Sequence, residues 1–206
     1  FTLSEIKEVL KKKDLSFKLY RDRKKLIDKT VEYLSKKKVV AWFQGRMEWG
    51  PRALGARSIL ADASEAKMKD VINAKVKKRE MFRPFAPVIL EDKVSDYFRG
   101  FSKGVKRLGK YTLLVLPFKE KGIKAAPATV HVDATGRLQS IQRRDNPLYY
   151  DLVKAYMRRT KNPILINTSF NVRGEPIVCT PEDAVNCFLN TEIDILVIGD
   201  FLVTKK

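Results

Sequence analysis

Three short stretches of the chain set arginines among glycines, prolines and small polar residues, a mixture suited to gripping an anion. The first runs from Gly45 to Ser58 and carries Arg46, Arg52 and Arg57, with Glu48, Trp49 and Pro51 among them. Glycine lets the backbone come close to a ligand, and arginine offers a planar fork of donors to phosphate or carboxylate. No Gly-Lys-Ser/Thr follows, so the stretch is not a Walker loop. The second, Arg79 to Pro87, sets Arg83 between Phe82 and Phe85 and directly before Pro84, which restricts its backbone. Such preorganisation lowers the entropy lost on binding an anion. The third, Asn167 to Pro176, holds Asn167, Ser169, Asn171 and Arg173. Its amides and hydroxyl can read neutral amide or base edges while the arginine takes charge.

Each stretch also has a plainer reading: a solvated turn, an arginine stacked on phenylalanine for packing, an Asx-type turn. His131 is the chain's one histidine. If its segment is extended, Asp133 shares its face, and Arg137 and Gln139 repeat the two-residue spacing. A lone strand histidine is more often structural than catalytic. No Gly-x-Ser-x-Gly signature supports a covalent nucleophile. Glu48 suits a base or a magnesium ligand, but an ion pair with Arg46 or Arg52 is the simpler expectation. Cys179 and Cys187 stand eight residues apart, unlike zinc-site spacing, so no metal site is expected and both read as free thiols in a reducing cytoplasm.

The elements that must hold these stretches follow from periodicity. Tyr20 to Lys38 has helical spacing at Leu26, Ile27, Val31 and Leu34, and Val39 to Phe43 reads as a buried strand. Ser64 to Lys77 is expected to be helical, with Ser64 as its cap. Short strands are expected at Val88 to Leu90 and Tyr111 to Leu116. Thr129 to Val132 and Leu138 to Gln142 read as a hairpin around Asp133 to Gly136. Pro147 to Thr160 reads as a helix and Pro163 to Asn167 as the strand leaving it. Thr180-Pro181-Glu182-Asp183 is a strong helix start, with a cap, a proline at the first helical position and acids for the dipole. That helix runs to about Asn190, and Ile193 to Val203 closes the fold in one or two strands. Gly100 to Gly109 is the one soft boundary, a candidate loop over a site. The order gives an α/β domain with a mixed, twisted sheet and flanking helices. Residues 1–38 are read as a helical amino-terminal segment and residues 39–206 as the domain proper.

Bulk properties narrow the classes. The 206 residues are 44% hydrophobic, enough for a packed core, and no apolar run can cross a bilayer. No secretion-signal pattern is present, and the opening residue, Phe1, points to a piece of a longer protein. The formal charge of +18 raises nucleic acid as a partner. Much of that charge, however, lies on the lysine-rich residues 1–38, whereas residues 162–203 hold Arg173 as their single base. A lysine-rich amphipathic helix is commonly a solvated face, so basicity by itself licenses only a preference for anions.

With those residues in hand, the chain resembles the carboxy-terminal region of NodU/CmcH carbamoyltransferases, which is YrdC-like. The resemblance rests on GRMEWGPRALGARSIL, REMFRPFAPVIL, HVDATGRLQ and NPILINTSFNVRGEPIVCTPEDAV, in that order over residues 45–185. One departure is Asp133-Ala134-Thr135-Gly136-Arg137, where Asp-Gly-Thr-Ala-Arg is expected. The resemblance implies ATP-dependent conversion of carbamoyl phosphate to carbamoyl adenylate. Transfer to an acceptor hydroxyl would follow in an actin-like, metal-binding amino-terminal domain that is not in this chain. It implies that Arg52, Arg57 and Arg83 clamp phosphates with Ser58 beside them, and that His131, Asp133, Arg137 and Gln139 orient carbamoyl phosphate. Asn167, Ser169, Asn171 and Arg173 would then contact the nucleotide or the carbamoyl amide. Magnesium would accompany ATP on its phosphate oxygens, and the enzyme would be cytoplasmic. Two other readings compete: a basic RNA-binding module, and a non-catalytic nucleotide-binding regulatory domain.

Overall fold

A computed structural model describes residues 1–77 and 83–205. Residues 79–82 of the second arginine stretch lie outside the described residues. In chain order the elements are α1 (Leu3–Lys12), β1 (Ser16–Leu19), α2 (Arg23–Ser35), β2 (Val40–Phe43), β3 (Arg57–Asp62), α3 (Met68–Ile72), β4 (Ala86–Leu90), α4 (Val94–Tyr97), α5 (Lys106–Gly109), β5 (Leu114–Pro117), α6 (Glu120–Ala125), β6 (Thr135–Ile141), α7 (Pro147–Thr160), β7 (Leu165–Ser169), α8 (Pro181–Leu189), β8 (Ile195–Ile198) and β9 (Phe201–Thr204). The nine strands form one sheet in the order β1-β9-β8-β2-β3-β7-β4-β6-β5. Only the β2–β8 and β4–β6 pairs are parallel; the other pairings are antiparallel.

Each face of the sheet carries its own core. On one face α2 lies beside α7, and Leu26, Leu34, Tyr149, Leu152 and Tyr156 meet Trp42, Leu60, Val88 and Leu165 from the strands. On the other, Leu10, Val185 and Phe188 of α1 and α8 meet Ala41, Ile59, Ile89 and Leu196. Burying each such large side chain is worth about 1.5–3 kcal/mol, so the two layers fix the strands that carry the arginine stretches. The start of α8 forms as its sequence requires. Thr180 Oγ1 accepts from the Asp183 amide at 3.1 Å, and Asp183 returns a bond from the Thr180 amide at 2.9 Å.

Four expectations need correction. Residues 1–38 are not helical throughout, because Ser16–Leu19 pairs with β9 at the sheet edge. Arg57–Asp62 is a fully buried central strand, hidden in the sequence by the polar residues at its ends. Ser64 does not cap a helix: its amide and hydroxyl both bond Asp62 Oδ1, at 2.7 and 2.6 Å, and helix begins only at Met68. Finally, residues 129–132 are not a strand. β6 already has β5 on one edge and β4 on the other, so no edge is left for a hairpin partner. Pro127–Thr129 instead forms a turn of 3-10 helix leading to a tight turn at His131.

That turn explains the exchanged small residues. Ala134 sits at φ +61°, where a side chain costs about 1–2 kcal/mol and glycine costs little. A Cβ at Gly136 would lie 2.4 Å from the Phe118 ring, so the aromatic ring occupies the space an alanine methyl would need. Ala134→Gly is expected to raise stability by about 0.5 kcal/mol once the extra unfolded-state entropy is subtracted. Gly136→Ala should lower it by about 1–3 kcal/mol, with recovery when Phe118→Leu is added. Urea denaturation of the three variants measures both effects.

Candidate functional site

The β2–β3 connection, residues 44–56, is held in place by one acid and one base. Glu48 forms no ion pair with Arg46 or Arg52 among the described residues. Its Oε1 instead accepts the amides of Leu54 and Ala56, each at 2.6 Å, and so pins the loop's return limb. Gly55, at φ +113°, lies where a Cβ would overlap the Tyr149 ring. Its carbonyl accepts from Trp42 Nε1 at 3.0 Å.

Arg57 is not placed to clamp a phosphate. Its side chain is buried, at 1% exposure, with the guanidinium 3.5 Å from the centre of the Phe43 ring. Nη1 donates to the carbonyls of Gln44 and Ala56, and Nη2 to those of Gly45 and Cys179, at 3.0 to 3.3 Å. Ser58 is likewise buried and accepts the Gly55 amide at 3.1 Å. Both residues build the loop from within.

The other arginines meet where β4, β6 and β7 run side by side. Arg52 and Arg137 line one cavity of about 80 Å³ with Pro84, Thr112, Asn167 and Ser169. Arg83, exposed and next to Pro84 in sequence, lies near enough for its charge to act on Arg137. Burial first, and then the charges of Arg52 and Arg83, push the Arg137 guanidinium below its usual pKa. Among the described residues, no acid opposes them at Arg137. Like charges are thus concentrated around a half-buried cation, an arrangement that favours an entering anion.

Asn167 of this cavity is tied through its amide to Gln139, which lines a neighbouring one. Gln139 Nε2 donates to the Leu54 carbonyl at 2.9 Å. Asn167 Nδ2 donates to Gln139 Oε1 at 2.5 Å and to the Ala53 carbonyl at 2.9 Å. Across the sheet, Asn167 faces Ala86 of β4 and Leu60 of β3, and Ser58 faces Ser169.

A lysine that the sequence marks only as the end of a helix organises the third stretch. Lys77 is buried, and its Nζ bonds the Ser169 carbonyl at 2.6 Å, the Asn171 carbonyl at 2.9 Å and Asn171 Oδ1 at 2.6 Å. Ser169 Oγ donates to the same Oδ1 at 2.7 Å, and Asn171 Nδ2 donates to the Glu175 carbonyl. Asn171 is therefore engaged within its own loop. Nothing in the run of lysines around Lys77 marks it out. Thr112, buried and lining the arginine cavity, also carried no sequence signal. Arg173 does not join the group: it lines a separate cavity with Cys179 and Cys187.

His131 and Asp133 do not share a strand face; both turn onto Thr135. Thr135 Oγ1 donates to Asp133 Oδ1 at 2.7 Å, so toward His131 Nδ1, 3.0 Å away, it acts as the acceptor. The ring proton therefore sits on Nδ1, and Nε2 presents a buried lone pair with no partner. Burial, followed by Asp133 in opposition and Arg137 and Lys69 in support, leaves the His131 pKa below its usual value.

The fold is that of the YrdC-like domains. Over 86% of this chain and 79% of its own, the structure of E. coli YciO matches with a TM-score of 0.62 at 14% identity. A full-length HypF structure in a phosphate- and nucleotide-bound form matches 92% of the chain, with 22% of its own covered, at TM-score 0.59 and 21% identity. Within that fold class the chain belongs to the family described as "Carbamoyltransferase C-terminus", whose model matches residues 31–205. Nodulation protein NolO of Bradyrhizobium diazoefficiens is 48% identical over 85% of this chain and 32% of its own length. The chain spans only about a third of the length of such relatives. No described helix is long and apolar enough to cross a membrane.

Two predictions follow from the geometry. Arg57→Lys, which can satisfy fewer of the four carbonyls, should cost about 2–3 kcal/mol by thermal denaturation without adding or removing charge. His131 titrates alone in NMR as the one histidine, and its midpoint should fall below the unperturbed value of about 6.5. Because the folded pKa is the lower one, this group's contribution to stability is complete above the unfolded pKa and is lost as pH falls through the folded one.

Proposed function

We propose that this domain activates carbamoyl phosphate with ATP, forming carbamoyl adenylate as the carboxy-terminal part of an O-carbamoyltransferase. The observation that carries this reading is one cavity lined by Arg52, Arg137 and the Asn167 amide, with the charge of Arg83 acting on Arg137. A phosphate needs the cations, and a carbamoyl group suits the amide. The HypF structure of the same fold holds phosphate and nucleotide, which supports the reading. The cavity is small, about 80 Å³, a size for carbamoyl phosphate rather than ATP. A neighbouring cavity of about 350 Å³, lined by Arg46, Lys110, Tyr111, Gln139 and Asn146, offers the nucleotide a place across the Gln139–Asn167 wall.

In this scheme water cleaves the carbamoyl–phosphate bond, releasing inorganic phosphate and carbamate. A carbamate oxygen then attacks the α-phosphorus of ATP, and pyrophosphate leaves. Arg52, Arg83 and Arg137 hold the phosphate oxygens and offset their charge in a partly dehydrated place. His131, with its bare Nε2, is the acceptor available to a proton near Arg137. The charged lining of the small cavity is arginine, which fits an anion, and magnesium arrives on the nucleotide's phosphates. Transfer to the acceptor hydroxyl belongs to an amino-terminal domain of the longer protein, in the cytoplasm.

Calorimetric titration with ATP and carbamoyl phosphate, separately and together, in magnesium and at two salt concentrations, tests the reading. Saturable, mutually dependent binding is expected, and Arg137→Ala should weaken carbamoyl phosphate by about 10-fold or more. Binding of ATP alone, unaffected by carbamoyl phosphate, would indicate a regulatory domain. No binding of either, with tight salt-sensitive RNA binding, would indicate a nucleic-acid module.

A further inference from the structure

We propose that Asn167 is the residue that selects a carbamoyl group over other acyl phosphates, by accepting a hydrogen bond from its NH2 through Oδ1. The inference rests on the activation reading above and goes beyond it in assigning the specificity to one atom.

The orientation of the Asn167 amide is dictated rather than free. Its Nδ2 faces two oxygens, the Ala53 carbonyl at 2.9 Å and Gln139 Oε1 at 2.5 Å. Turning the amide over would set Oδ1 against both, oxygen to oxygen. Gln139 cannot turn instead, because its own Nε2 is held by the Leu54 carbonyl at 2.9 Å. Two backbone carbonyls of the pinned arginine loop therefore determine which atom of Asn167 is left over, and it is the acceptor.

That acceptor is unsatisfied. Asn167 is 2% exposed, and Oδ1 has no hydrogen-bond partner. A buried carbonyl oxygen without a donor is costly, and native folds seldom leave one unless something else supplies the donor. Asn167 lines the cavity that also holds Arg52 and Arg137. A ligand that completes this place carries an anionic group for the arginines and, a few bonds away, an N–H for Oδ1. Carbamoyl phosphate has both.

Its near relatives do not. Acetyl phosphate puts a methyl where the NH2 stands, with much the same volume and no donor, so Oδ1 stays unpaired. A carboxy phosphate puts a second oxygen there and sets lone pair against lone pair. Asn167 is then a specificity residue, while Gln139 and the Ala53 and Leu54 carbonyls position it.

Calorimetry with carbamoyl phosphate, acetyl phosphate and inorganic phosphate on the whole chain, and on Asn167→Ala, tests this. The parent should bind carbamoyl phosphate about 10-fold or more tighter than acetyl phosphate. In Asn167→Ala that ratio should fall toward one, with inorganic phosphate bound as before. Equal binding of the two acyl phosphates by the parent overturns the assignment while leaving the anion site standing. A ratio preserved in Asn167→Ala overturns it too. If the parent binds none of the three, the activation reading itself fails and this inference with it. Should Asn167→Ala not fold, the parent's ratio alone decides.

Discussion

The buried guanidinium of Arg57 is the interaction on which the site depends. Its planar fork reaches carbonyls on both limbs of the β2–β3 loop and a third segment, Cys179, more than a hundred residues away. Four oxygens from three separate pieces of chain are thereby held against one charge over the Phe43 ring. A buried charge is costly unless its donors are engaged, and here backbone carbonyls engage both Nη atoms, while Nε is left without a partner. The loop's shape and the charge's burial therefore require each other. Glu48 repeats the device with opposite sign, its oxygen drawing in two amides of the same loop.

Arginines in one family of motifs thus meet opposite fates. Arg57 opens a central strand, so its side chain is swallowed by the loop that precedes it. Arg52 stands on the loop's outer limb, and Arg137 on β6 faces it across the cavity. Placing three cations together works against folding, and the two cores of Trp42, Tyr149, Phe188 and their neighbours supply the stability that offsets it. Rigidity serves the same end: the amide relay from Leu54 through Gln139 to Asn167 has a fixed direction only because the loop carbonyls cannot move.

Much of this was legible. The helices at α7 and α8 and the strand at β2 announce themselves, because caps and apolar spacing are local signals. The motif stretches named the residues around the cavity, and their order named the family. What the sequence hid is non-local. Arg57–Asp62 begins with two polar residues that face loop and neighbour strand, so its six buried positions do not read as a strand. The expected hairpin at residues 129–142 failed because β4 and β5 claim both edges of β6, a fact about partners rather than about the segment. Arg57 and Ser58 looked like ligand residues, and nothing marked Lys77 as buried, for one reason. A polar side chain's type does not say whether backbone or ligand will satisfy it.

The pairing of β1 with β9 has a further consequence, for the order in which the molecule can be made. Ser16 lies opposite Thr204, so the first strand of the sheet meets its only partner in the last. As this stretch of chain leaves a ribosome, β1 must wait, unpaired, until β9 has emerged. Contacts so distant in sequence slow folding, because loop closure must come before the contacts repay it. During that interval the surplus of lysine and arginine around β1 keeps an open strand soluble, a service to biogenesis rather than to catalysis.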